Sequence, residues 1–107
     1  MPKRVHLIIK SHHGALKMLS KARGKKFNII LNNTPDIVKA IKVLFSYILN
    51  GSLKMKPHHV KKLKPHRNLI RKIAHGGLKE TKPAVQKGGS LIKTILSTII
   101  PLIPAIL

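Results

Sequence analysis

Apolar positions recur at helical spacing along most of this chain and then crowd together at its end. Between residues 3 and 22, Leu7, Ile8, Ala15, Met18, Leu19 and Ala22 fall roughly on such a spacing. Gly14 interrupts the stretch at a cost of about 1 kcal/mol relative to alanine, which predicts a frayed or broken helix. A basic turn, Arg23-Gly24-Lys25-Lys26, follows. The apolar run from Phe27 to Leu31 suits strand and helix equally.

The next element has the clearest pattern. Thr34 is a good N-cap, Pro35 suits the first helical position, and Asp36 would meet the positive end of the helix dipole. Ile37, Ile41, Leu44, Phe45 and Ile48 then line one face, and Asn50-Gly51 supplies a left-handed stop. This predicts a helix over 35–49 whose apolar face is the core of a domain. Val60, Leu63, Ile70 and Ile73 form a further stripe, with Pro65 inside it. Proline removes a backbone donor, so two short helices are expected, at about 57–63 and 65–74. Gly76-Gly77 ends that segment. Residues 78–87 are polar, contain Pro83 and show no periodicity, and so read as a linker.

The end of the chain changes character. After Gly88-Gly89, Ser90 to Leu107 is mostly Ile and Leu, with a narrow seam of Ser90, Lys93, Thr94, Ser97, Thr98, Pro101 and Pro104. As one helix it would be about 27 Å long, short of the roughly 30 Å of a bilayer's hydrocarbon. Leu91, Ile92, Ile95, Leu96, Ile99, Leu102, Ile103 and Ile106 form the wide apolar face, which suits insertion at a membrane interface or docking on a partner. Pro101 predicts a kink. A tail-anchored span and a core helix for the preceding domain are the competing readings. The fold class expected is therefore mainly α. A small basic helical body (1–77) precedes a flexible linker with its Gly-Gly pair (78–89), and a hydrophobic amphipathic C-terminal helix (90–107) closes the chain.

Charge sharpens this division. Lys and Arg number 22 against two acids, Asp36 and Glu80, for a net charge of +20 and a pI near 11.4. All the cations except Lys93 precede Gly88. Such an excess repels itself in a compact state and attracts polyanions, either nucleic acid or anionic lipid. The cations recur along every element of the body, which suits phosphate contact with DNA rather than base readout, since no aromatic pair or zinc-finger spacing is present. Lys25, Lys26, Lys61, Lys62, Lys64, Arg67, Arg71 and Lys72 are the candidate contacts. A cationic surface serving a membrane is the alternative.

Catalysis is not expected. Two isolated carboxylates and no cysteine leave no acid/base pair or thiol nucleophile, and disulfides are excluded. The histidine pairs His12-His13 and His58-His59 point to different helix faces with no carboxylate nearby, so neither a metal nor another cofactor is expected. Exposed and idle is the plain reading of the seven histidines; added charge near pH 6 is the other. Val5 to Ile9 is too short for the apolar core of a signal peptide.

Taken together, a basic body, VQKGG, and the helix SLIKTILSTIIPLIPAIL resemble the adenovirus core protein X (mu) precursor family, including its relatives in adenovirus-like mobile elements such as adintoviruses and polintons. The segment from Asn32 to Ala74 also looks like the helical region of the element-encoded proteins, so the resemblance covers about residues 25–107. It implies a virion-interior core or packaging protein, present in the host nucleus during assembly, that binds double-stranded DNA non-specifically. It also implies cleavage by a viral protease after a Gly-Gly pair, here at Gln86, Gly88, Gly89 and Ser90, with capsid proteins as further partners. Gln86 has the length but not the apolar character that the family has two positions before the pair, and Gly76-Gly77 fits worse because Ala74 is small. The body is Lys-rich where the adenovirus protein is Arg-rich, and longer. The tail resembles melittin in its internal proline and small polar positions, which implies membrane activity for residues 90–107. A cationic lytic protein and a tail-anchored protein remain the readings in which DNA plays no part.

Overall fold

The computed structural model describes residues 3–34, 36–51, 53 and 55–105. It is mainly helical, with no strand among the described residues. Among the described residues seven α-helices follow one another: α1 (Lys3–Lys21), α2 (Lys25–Asn33), α3 (Ile37–Asn50), α4 (Pro57–Leu63), α5 (Arg67–His75), α6 (Leu78–Lys87) and α7 (Gly89–Ile99). A 3-10 turn at Lys64–His66 joins α4 to α5, and α7 tightens into a second 3-10 segment over Ile100–Ala105.

The central helix is α3, which packs against α1, α5 and α6. Being covered from several sides, it buries Ala40 and Tyr47 in addition to Ile37, Ile41, Leu44 and Phe45. Its end follows the expected glycine chemistry, with Gly51 left-handed at φ 78° and its N–H donated to the Tyr47 carbonyl. Its start differs. The helix begins at Ile37, and Asp36 precedes it in the left-handed region at φ 64° without capping through its side chain. Pro35, expected as the first helical residue, lies outside the described residues.

Three further expectations are corrected. First, α1 runs unbroken through Gly14, where an added Cβ would meet nothing within 4 Å. The glycine is exposed, so its cost is only the propensity term, and tertiary packing on both sides of it offsets that. Second, the buried face of α1 is Ile9, Leu16, Leu19 and the following Ala22, while Leu7 and Met18 are 58% and 62% exposed. Third, residues 78–87 are not an irregular linker. They form α6, which packs on α3 and α5 through buried Thr81 and Val85, one turn apart. The Thr81 hydroxyl donates to the Gly77 carbonyl (2.8 Å), and Glu80 lies in the first turn. Pro83 sits on the exposed side, where the carbonyl it leaves unpaired can be hydrated.

The proline at position 65 acts as expected, dividing the 57–75 segment at the 3-10 turn. Phe27 and Leu31, in a run that suited two structures, are the buried positions of helix α2.

The apolar C-terminal segment is part of the core. Helix α7 packs on α1, α4 and α6, and Ile92, Ile95, Leu96, Ile99, Ile100 and Ile103 are buried. Of the readings open for this segment, that of a core helix is the arrangement found. Most of its polar seam (Ser90, Thr94, Ser97 and Pro101) stays exposed, and the threonine hydroxyls bond their own helix. Thr94 donates to the Ser90 carbonyl (3.1 Å), and the buried Thr98 donates to the Thr94 carbonyl (2.9 Å). Lys93 Nζ donates to the Ala22 carbonyl (3.0 Å), fastening the one cation of this segment to the chain just past the end of α1. The whole fits within 33 × 30 × 25 Å.

Candidate nucleic-acid interface

Because the interior is filled by aliphatic side chains, the cations have nowhere to go but outward. Lys25 and Lys26 occupy the first turn of α2, Lys61 and Lys62 lie on α4, Lys64 on the 3-10 turn, and Arg67, Arg71 and Lys72 on α5; all are exposed. The fold extends this surface beyond the residues singled out from sequence. Lys79, Lys82 and Lys87, read there as part of a linker, are exposed on α6, and Lys10, Lys17, Lys21 and Arg23 are exposed on or beside α1. Only Lys42 and Lys93 are partly buried among the cations whose side chains are described.

Helical geometry groups some of these. Lys64, Arg67, Arg71 and His75 follow one another at intervals of three or four residues, so they form one stripe along the 3-10 turn and α5. The opposite side of α5 buries Ile70, Ile73 and Ala74 against the core. Lys72 stands a third of a turn from Arg71 and belongs to a different part of the surface. The arrangement is thus a wide cationic skin with one ordered stripe. It offers point charges and guanidinium forks to phosphate oxygens, and presents no aromatic platform for bases.

The histidines are spread across the fold. Among the described residues, no group of three or more His, Asp or Glu side chains converges to hold a metal. His58 and His59 are in contact at the start of α4, with ring centroids 4.0 Å apart. His59 Nδ1 accepts the Lys56 backbone N–H at 3.2 Å. Desolvation, then the neighbouring charges of His58, Lys56 and Lys62, lower the pKa of His59 below its ordinary value.

The proposed cleavage residues occupy a tight joint. Gln86 and Ser90 are exposed, but Gly88 and Gly89 are only partly so. The Gly88 N–H donates to the Ala84 carbonyl (3.0 Å) and the Gly88 carbonyl accepts from Ile92 (2.8 Å). A Cβ on Gly88 would lie 3.2 Å from the Ala84 oxygen and 3.4 Å from Leu69, and one on Gly89 would lie 3.6 Å from the Phe27 ring. The pair therefore lets α6 and α7 turn closely over α2 and α5. An extended conformation, as a protease cleft takes, requires this joint to open.

The eight apolar positions proposed for membrane contact divide. Ile92, Ile95, Leu96, Ile99 and Ile103 are buried, Leu102 is half-buried, and Leu91 is exposed. Ile106 lies outside the described residues. No described helix is long and apolar enough to cross a membrane. No family model, curated protein or solved structure matches the chain.

Proposed function

We propose that this chain is a non-enzymatic packaging protein that neutralises double-stranded DNA through sequence-independent phosphate contacts. The observation that carries the reading is the partition of charge. The chain carries a net charge of +20, and all of its described Lys and Arg side chains except Lys42 and Lys93 are exposed around a core that is completed without them. Such a surface gains by releasing counterions from DNA, while a self-repelling fold gains stability from the neutralisation. The likeness of the sequence to the core protein X precursors supports a place inside a virion, with DNA, a viral protease and capsid proteins as partners.

Retardation of duplex DNA by the full chain, measured across a salt series, tests this. The expected result is a linear fall of log K with log salt, with a slope of about −0.9 per phosphate contacted and no dependence on base sequence. Absence of retardation at low salt, with retention on anionic vesicles, would replace DNA by lipid as the partner.

The reading of residues 90–107 as a membrane-active product also remains a proposal, and burial of α7 supplies its condition. The segment reaches a bilayer only after it leaves the core, so release after Gly89 must accompany unfolding of that region. Mass spectrometry of the protein from its source, seeking an N-terminus at Ser90, tests the release.

A further inference from the structure

Where α3, α4 and α5 meet, the surface opens into an apolar groove of about 350 Å³ lined by Ile48, Leu49, Met55, Val60, Leu63 and Ile70. Lys64 and Arg67 complete its lining. A second cavity of about 470 Å³ adjoins it, sharing Leu49 and Arg67, and is lined further by Ser46, Asn50, Arg71 and His75. The two together form one amphipathic site. One half is aliphatic with a flexible methionine, and the other carries two guanidiniums one helical turn apart.

We infer that this composite site binds a single-chain anionic amphiphile, with its alkyl chain in the Ile48–Ile70 groove and its anionic head on Arg67 and Arg71. Three features lead to this occupant. The volume lies within the range of about 300–1,000 Å³ typical of small-molecule sites, whereas a docked helix needs a longer trough. The groove holds Val60 about half exposed at 49%, an apolar surface that gains by being covered. The charge beside it is of one sign. Ser46 and Asn50 belong to the last turn of α3, whose dipole places about half a negative charge there, and two guanidiniums outweigh it. Arg67 and Arg71 supply planar forks suited to a phosphate or carboxylate head, and Met55 adapts to chains of different length.

This site shares Arg67 and Arg71 with the proposed DNA contacts, so it is tested in the absence of DNA. The full chain, labelled with 15N, is titrated with dodecyl phosphate below its micelle concentration at about 150 mM salt, where long-range attraction is screened. Dodecyl maltoside, dodecyltrimethylammonium, hexyl phosphate and inorganic phosphate serve as comparison probes. Saturable shifts are expected at the amides of Leu49, Val60, Arg67 and Arg71, with affinity falling about fourfold for each methylene removed. The double variant Arg67→Gln/Arg71→Gln should bind about tenfold or more weakly. Lys17→Gln/Lys21→Gln removes the same charge from α1 and should bind as the native chain does. Equal loss in both double variants would overturn the proposal by reducing it to bulk charge. Equal binding of hexyl and dodecyl phosphate, or of inorganic phosphate, would remove the groove from it. Dodecyl maltoside binding as tightly as dodecyl phosphate would remove the anion.

Discussion

Helices α5 and α7 follow the same packing rule and put it to opposite use. Each buries an aliphatic face, Ile70, Ile73 and Ala74 in α5 and Ile92, Ile95, Leu96 and Ile99 in α7. In α5 the remaining surface carries Arg67, Arg71 and Lys72, all free to meet an anion. In α7 the lone cation, Lys93, donates back to the Ala22 carbonyl, and both threonines bond their own helix. The exposed face of α5 is thus available for binding, whereas α7 is spent on holding the fold together. The lesson is that apolarity in a basic chain does not by itself mark a membrane segment. A small domain with two acids and 22 cations draws on the aliphatic face of α7 to close its core.

The strongest way to break the contrast is to charge α7. Ile95→Asp/Ile99→Asp places two unpaired carboxylates in the core, each costing about 4 kcal/mol or more, against a total stability of about 5–15 kcal/mol. Far-ultraviolet circular dichroism should show loss of helix across the whole chain. Loss confined to the share contributed by the last 18 residues would instead mark α7 as an appendage.

Charge removal from α5 should do the reverse. Arg67→Gln/Arg71→Gln/Lys72→Gln is expected to change stability by no more than about 0.5 kcal/mol, because all three are exposed. The same variant should lower the magnitude of the salt slope of DNA binding by about 2–3, as up to three phosphate contacts disappear. A slope that does not change would move the interface to α1, α2 or α6.

Two smaller effects concern how the contrasting helices are positioned. A Cβ at Gly76 would stand 2.8 Å from the Lys72 carbonyl oxygen, while at Gly77 it would meet nothing within 4 Å. Gly76→Ala should therefore cost about 1–3 kcal/mol in urea unfolding, and Gly77→Ala far less. Lys93→Met removes one partly buried hydrogen bond and should cost about 1 kcal/mol by the same measurement.

The smallest effect expected is a pH dependence at the start of α4. Neutral His59 accepts the Lys56 N–H, and its pKa in the folded protein lies below its ordinary value of 6.5. The unfolded chain thus binds the proton more tightly. The contribution is complete above pH 6.5 and is lost as pH falls through the lower, folded value. Thermal melts at pH 7.5 and pH 5, compared with those of His59→Gln, isolate it; the variant should lose part of the pH dependence.

Local signals were legible wherever one residue decides one bond. Gly51 ends α3, Pro65 divides α4 from α5, and the α3 stripe is buried except for the half-buried Ile48, because capping, missing donors and helical periodicity act within a few residues. They failed for α6, where Thr81 and Val85 are the buried anchors and too few to establish a period around Pro83. They misplaced the buried face of α1 because Leu7, Met18, Ile9 and Leu16 are equally apolar, and only contact with α3 and α7 selects Ile9 and Leu16.

By itself the amino-acid sequence determined a mainly α-helical chain, a mostly aliphatic interior and a cationic exterior, since periodicity and desolvation leave charges no other place. Only the tertiary structure decided that α7 is core, that Gly88-Gly89 is a packed joint, and that Lys64 and Arg67 border an apolar groove beside the cavity of Arg71 and His75. Those facts depend on which faces of helices distant in sequence meet, and an aliphatic face has the same pattern whether a membrane, a partner or α1 covers it.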